Sequence, residues 1–468
     1  EGVVSGAADG YARMSGKSAA NLLHLGPGLG NAFANIHNAK KAFSPMINIV
    51  GDHASYHLKH NAPLTSDLDG LAKSSSDWVK RVSSPEQITQ CANDAWKAAN
   101  ESPGNIATLI VPADYAWSDI GSDLPKKVEL NNRKSVDNKL IEAAYKLLLK
   151  PNSMLYLGGK FLDEECLKFA AQIATKTGCR LVTDTFVSRI RRGAGLPIVQ
   201  QVPYFSEMAE DFLQGTESIV FIGTKPPVSF FAYPDKKSFL SPDEAELFEL
   251  CSVEENGYEA LALLSELSGS PKIANDLIRP HISDVPTSGD LDVTTLGPLI
   301  ADMMPEESIV SDESATSSLI VTPHALQAKP HDWLALTGGS IGQGLPLAIG
   351  ASIAKPDRPV ITLHGDGGAM YTVQALWTQA RENLNITNII FSNRSYEILK
   401  IELDRVQAVE TGERAASMFS MDNPPIDWVN LAESMGVQGY KPKTVKEFKD
   451  VFSKSVNESG PSLIEIEI

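Results

Sequence analysis

Short apolar runs that end at Gly, Pro or a small polar residue alternate along this chain with stretches whose apolar positions recur every three to four residues. The first kind falls at 20–25, 46–50, 105–111, 155–159, 180–183, 218–223, 358–363, 387–391 and 462–466. Runs without polar alternation, bounded by turn residues, predict strands buried on both faces, which is the habit of parallel sheets. The second kind predicts helices over 2–15, from the turn Gly26-Pro27-Gly28-Leu29-Gly30-Asn31 to about Lys41, and over 372–383, where Val373, Leu376, Trp377 and Ala380 share a face. Strands alternating with helices predict an α/β protein of three doubly wound parallel-sheet domains. They are expected at 1–125, 136–278 and 286–468, joined by a polar stretch near 116–135 and a Pro-containing linker near 279–292. The stretch 230–242 is irregular, aromatic and proline-containing, and predicts no regular element.

Length changes this picture little: 468 residues exceed one hydrophobic core and suit about three domains. Hydrophobic residues at 43% and charged residues at 21% are ordinary for a globular protein. A net charge of −17 argues against nucleic acid and against an anionic membrane surface as partners. No apolar run approaches the roughly 18–20 residues that span a bilayer. Cys91, Cys166, Cys179 and Cys251 are scattered without metal-type pairing, which predicts a reducing, cytoplasmic setting.

The candidate chemistry centres on Gly365-Asp366-Gly367-Gly368 and on Asn393, 27 positions after Asp366. Asp366 would follow one predicted strand and Asn393 the next, so both fall at the carboxyl ends of parallel strands, where open α/β sheets bind ligands. Mg²⁺ takes six oxygens, usually one carboxylate, one or two neutral oxygens, and phosphate and water for the rest. Asp366 would supply the charge, Asn393 its side-chain carbonyl and Ser395 a main-chain carbonyl. Gly365, Gly367 and Gly368 leave room for backbone to approach a diphosphate. The plainer alternative is a capping Asp at a strand end and an ordinary strand Asn.

These residues resemble the diphosphate-and-metal motif of thiamine diphosphate (ThDP) enzymes, which opens with GDG and closes with Asn. A second segment agrees: Glu1-Gly2-Val3-Val4-Ser5-Gly6-Ala7-Ala8-Asp9-Gly10-Tyr11-Ala12-Arg13 is similar to the family's E-x6-A-x-G-Y-A-R. The resemblance spans the chain, strongly over about 1–115 and 285–468, and is nearest to acetolactate synthase large subunits and benzoylformate decarboxylases. It implies ThDP and Mg²⁺ as cofactors, and Glu1 as the catalytic carboxylate at the cofactor's pyrimidine. In the family that Glu follows a first strand–helix unit, so the N-terminus is expected to be truncated by some tens of residues.

Further site residues come with the resemblance. In Leu336-Thr337-Gly338-Gly339-Ser340-Ile341, Ile341 stands where relatives place a bulky aliphatic under the cofactor, and Gly338 and Gly339 would meet the pyrimidine. Ser314 and Thr316 fall in the loop that touches the diphosphate, although an N-cap role suits them equally. Acetolactate synthases carry Gln-His in that loop, and this chain does not. His24 stands where benzoylformate decarboxylases have an active-site His, and His53 is a second acid–base candidate. Each could equally be a strand-end His bonded to main chain. His53, His57 and His60 lack the Glu that would suggest a zinc site. Where flavin-carrying relatives have GxRFDDRxTG, this chain reads Phe221-Ile222-Gly223-Thr224-Lys225-Pro226-Pro227, so the resemblance does not extend to FAD.

The implied activity is decarboxylation of a small 2-oxo acid followed by ligation of the enamine to a second carbonyl. The alternatives are a non-ligating decarboxylase of benzoylformate type and an inactive cofactor-binding regulatory subunit. The family's architecture implies a homodimer or homotetramer with active sites between subunits.

Overall fold

The computed structural model describes residues 1–120, 128–406 and 412–468; the connection expected near 116–135, with the boundary at 125, falls partly outside the described residues. Three sheets organise the chain, in sequence order. The first has four parallel strands, β1 (Ala19–His24), β2 (Met46–Asp52), β3 (Trp78–Arg81) and β4 (Ile106–Pro112), in the order β1-β2-β4-β3. The edge strand β3 is absent from the apolar pattern because Trp78-Val79-Lys80-Arg81 is short and only partly buried, ending in two charged residues.

Helix α1 (Gly2–Ser15) precedes β1, and helix α2 (Leu25–Lys41) follows it with no intervening turn. The glycine-rich run read as a turn is the opening of α2. The corner is made instead by Leu25 at φ 54°, a left-handed backbone that a Leu holds only under packing constraint, and Leu25 is buried.

The second sheet is also parallel, in the order β10-β9-β5-β6-β8: β5 (Ser153–Leu157), β6 (Arg180–Thr183), β8 (Gln200–Gln201), β9 (Ser218–Ile222) and β10 (Glu246–Cys251). Every residue of β5 and β9 is buried, as their unbroken apolar runs require. β7 (Ile190–Arg192), from the same stretch of chain, leaves this sheet and becomes the antiparallel edge of the third.

That third sheet runs β15-β16-β14-β13-β11-β12-β7, with β11 (Ile309–Glu313), β12 (His331–Ala335), β13 (Val360–Gly365), β14 (Ile386–Ser392), β15 (Gln438–Tyr440) and β16 (Ser462–Glu467) all parallel. One apolar core runs from Leu155, Val220 and Leu261 of the central segment through Trp333 to Phe391 and Phe448, so the second and third sheets share an interior.

Helix α3 (Gly344–Ala354) sits between the first sheet and the third, and α1 packs along it. The contact is backbone to backbone: a Cβ on Gly10 would run into the Leu347 carbonyl, and one on Gly350 into that of Ala7. Close by, the Arg13 guanidinium is bound on every side. It donates to Asp9 through Nε (2.8 Å) and Nη2 (2.6 Å), to the Ala335 carbonyl (2.8 Å), the Ser188 carbonyl (3.1 Å) and Thr337 Oγ1 (3.0 Å). One side chain thus ties α1 to the central segment and to the end of β12.

Arg13→Met is expected to destabilise the protein by about 3–5 kcal/mol, because Asp9 stays buried with its charge unpaired. Urea unfolding followed by tryptophan fluorescence measures it. An unshifted midpoint would mean that Arg13 does not hold the three segments together.

Candidate active site

The metal turn is built by register. β13 and β14 pair in parallel with Gly365 opposite Phe391, so the chain leaves both strands at the same level, with Asp366 and Asn393 just beyond. Asp366 is 3% exposed. The Gly367 amide donates to its Oδ1 (2.8 Å) and the Arg394 amide to its Oδ2 (2.8 Å). Arg394 reaches it by adopting φ 53°. Burial lifts the Asp366 carboxyl above its ordinary range, against the pull of these amides. No side-chain cation pairs with it among the described residues.

Asn393 is half-buried, and its Oδ1 accepts from the Ser395 amide (2.9 Å). Ser395 Oγ turns back to Glu397 and the Phe419 carbonyl. Two of the turn's glycines lie against side chains, a Cβ on Gly367 pressing on the Tyr396 ring at 2.5 Å and one on Gly368 on Glu313 Oε1 at 2.9 Å, while one on Gly365 would meet nothing closer than 3.8 Å. Among the described residues no three His, Cys, Asp or Glu groups converge as a metal cage. A single desolvated carboxylate beside one amide oxygen is the donor set a diphosphate-bound Mg²⁺ would use, so the residues fit the expected ion.

Beneath that turn lies a pair that sequence reasoning missed. Glu313, at the end of β11, accepts from the amides of Gly342 (2.6 Å), Gln343 (2.7 Å) and Gly344 (2.7 Å). His364 Nε2 lies 3.3 Å from Glu313 Oε2, an ionic contact rather than an aligned hydrogen bond. Burial alone would neutralise both, yet Glu313 lifts His364 above its usual range, and His364 with the amides holds Glu313 below its own. A charged pair therefore fastens the 342–344 turn to the strand that carries Asp366. His364 immediately before Gly365 was the only local signal.

The glycine turn after β12 meets protein. A Cβ on Gly338 would lie 2.5 Å from Asn38 Oδ1, and one on Gly339, at φ 71°, 2.6 Å from the Phe230 ring. His37 Nε2 is 3.2 Å from the Gly338 carbonyl, and Asn38 Nδ2 donates to that of Ser340 (2.7 Å). These glycines were read as making room for a pyrimidine, and within the chain they make room for α2 and Phe230. Ile341, the next residue but one, is half-buried. Ser314 is buried and donates its hydroxyl to Asp312 Oδ1 (2.5 Å), a local turn bond, and Thr316 is half-buried in the following 3-10 turn.

The first sheet supplies the remaining groups. Glu1 is exposed at the start of α1, where Asn31 Nδ2 donates to its Oε2 (3.3 Å). Gly28 brings it close to His24: a Cβ there would lie 3.5 Å from Glu1 Oε1 and 3.6 Å from His24 Cβ. The neighbouring Gly2 faces Thr372 of the metal turn's continuation. His24 and His53 line an open cleft of about 990 Å³ with His57, Tyr56 and Trp117, which runs along one face of the sheet past Leu22, Ile49 and Leu109. His53 Nε2 is buried there without a partner. Among the described residues no hydrogen bond joins Glu1, His24 or His53 to the Asp366 turn.

Two domain families match this chain. The thiamine pyrophosphate enzyme N-terminal TPP binding domain matches residues 1–72, and the C-terminal TPP binding domain matches residues 315–466. A Mycobacterium tuberculosis protein provisionally named acetolactate synthase large subunit IlvX is 42% identical, over 100% of this chain and 90% of that protein. The benzoylformate decarboxylase of Pseudomonas aeruginosa is 24% identical over 100% and 90%. Among solved structures, the thiamine diphosphate-dependent 4-hydroxybenzoylformate decarboxylase of Rhodococcus jostii RHA1 superposes with a TM-score of 0.85 at 24% identity, over 100% of this chain and 90% of that one. That likeness establishes the shared fold.

Proposed function

The chain belongs to the thiamine pyrophosphate (ThDP) enzyme family, and from that premise we propose that it decarboxylates a small 2-oxo acid and joins the product to a second carbonyl compound, as an acetolactate synthase does. The observation that carries the ThDP–Mg²⁺ reading is the buried, amide-bound Asp366 beside Asn393 at two adjacent strand ends. The carboligase assignment is favoured by kinship at 42% identity over the whole chain.

Bound ThDP would supply a stabilised carbanion and an electron sink. The chain's own part is to bind, orient and move protons. Asp366, Asn393 and the Ser395 carbonyl would hold Mg²⁺, and Gly365, Gly367 and Gly368 would admit the diphosphate. Glu313 and His364 would hold the 342–344 turn, which follows Ile341, against the strand that leads to Asp366. Glu1 would hold and release a proton at its carboxylate, and His24, with His53 near it, would carry one at the substrate.

Within one chain no hydrogen bond among the described residues joins Glu1 or His24 to the Asp366 turn, which goes with a homodimer or homotetramer completing each site from two copies. All four cysteines are buried and unpaired, and no described helix is long and apolar enough to cross a membrane. A cytoplasmic setting agrees with both.

A second reading rests on His24, placed at the end of β1 beside Glu1: simple decarboxylation of an aromatic 2-oxo acid, with His24 as proton donor. Proton NMR of the protein with ThDP and Mg²⁺, in separate pyruvate and benzoylformate tubes, distinguishes the two. Acetolactate from pyruvate is the expected product. Aldehyde alone would overturn carboligation and make His24 the next residue to replace.

A further inference from the structure

β7 and the residue before it carry arginines on both faces. Arg189 and Arg191 are neutralised: Arg189 Nε lies 2.7 Å from Asp332 Oδ1, and Arg191 is ion-paired with Glu307 and sits 3.5 Å from Glu164. Arg192 points the other way and is 4% exposed. Its guanidinium lies over the Trp333 ring, 3.6 Å from the centroid. Nε donates to His331 Nε2 (3.4 Å), Nη1 to Gln201 Oε1 (3.4 Å), and Nη2 has no partner.

Neither of those acceptors is an anion. His331 Nδ1 is 2.8 Å from the Lys329 carbonyl and so carries the ring proton, leaving a neutral Nε2 lone pair for Arg192. Burial first, then Arg192 beside it, pushes the His331 pKa down to about 3, so the ring stays neutral. Asp312 attracts Arg192 through space, but its hydrogen bonds go to Ser314.

A second arginine borders the same place, close enough for its charge to act on Arg192. Arg279 is set by main-chain bonds, its amide donating to the Leu196 carbonyl (2.9 Å) and the Gly195 amide to its own carbonyl (2.9 Å). Arg192, Arg279 and Gln201 line one small, partly open cavity of about 10 Å³, whose lining includes no carboxylate. That space holds roughly one water-sized particle. Burying a guanidinium with no anion hydrogen-bonded to it is unfavourable, Asp312 acting on it only through space, and a second cation beside the cavity adds repulsion. Water would solvate the pair without neutralising it, whereas a small anion would do both. Phosphate, sulfate and organic acids are too large for the space.

We propose that this cavity is a site for one chloride-sized anion, held between Arg192 of β7 and Arg279, which fastens the central segment to the edge of the third sheet.

Thermal unfolding in sodium chloride and in sodium gluconate at matched ionic strength tests it, since gluconate cannot enter. The melting temperature should rise by a few degrees with chloride, saturate, and stay flat in gluconate. Crystals soaked in bromide should show anomalous density between the two guanidinium groups. Arg192→Met should erase the chloride response. Arg279→Met, at a half-buried position that tolerates change, should erase it too while leaving stability in gluconate unchanged or higher, because a repulsion is removed. Superimposable chloride and gluconate curves, an undiminished chloride response in Arg279→Met, or a cavity without bromide in crystals that bind it elsewhere would each overturn the site.

Discussion

Asp366→Ala is expected to weaken ThDP binding in the presence of Mg²⁺ by more than about 100-fold. Residues that merely orient a metal ligand are worth roughly 10–100-fold, and on the proposed reading Asp366 would be the charged ligand itself. Without it, Asn393 and the Ser395 carbonyl would offer a hard dication only neutral oxygens, and a diphosphate whose Mg²⁺ is poorly held would lose its main counter-charge. The substitution also strips the Gly367 and Arg394 amides of their acceptor. Asp366→Asn is the cleaner partner variant, keeping one oxygen for an amide and removing the charge. Titration of ThDP by tryptophan fluorescence at fixed Mg²⁺, with far-UV circular dichroism to check the fold, reads both variants. A cofactor affinity indifferent to the charge would remove Asp366 from the metal site.

Glu1→Gln should lower turnover by roughly 10²–10⁴-fold, the usual reach of a positioned acid–base group, with ThDP affinity within a few-fold of the parent. The amide matches the carboxylate in size and can still accept from Asn31, whose bond to Oε2 is the side chain's described contact. It cannot take up and return a proton. Single-turnover decarboxylation set beside the ThDP titration separates the two effects. Loss of affinity equal to the loss of rate would make Glu1 a binding residue, and unchanged turnover would end its catalytic role. The two variants are complementary: the first should weaken cofactor affinity, the second what the bound cofactor can do.

Much of this protein could be read from local pattern. Strands such as β5, β9, β13 and β14 are buried on both faces, and burial on both faces writes itself into consecutive residues as an unbroken apolar run. The spacing of Asp366 and Asn393 was legible for the same reason, since one strand–helix–strand unit fixes how far apart two neighbouring strand ends lie in sequence. The N-terminal motif announced Arg13, though not that its guanidinium would join three segments.

What only the tertiary structure decided are the pairings of polar groups over long separations. β7 reads as a charged stretch, and it becomes a strand because His331–Ala335 offers it an edge and Asp332 receives its arginines. Glu313 and His364 meet through parallel register, and Gly338 and Gly339 find Asn38 and Phe230 instead of open space. The physical reason is that hydrophobic burial depends on a residue's own environment and repeats with the period of its element. A buried charge or a close glycine contact depends on one specific distant partner, and nothing local encodes which partner that is.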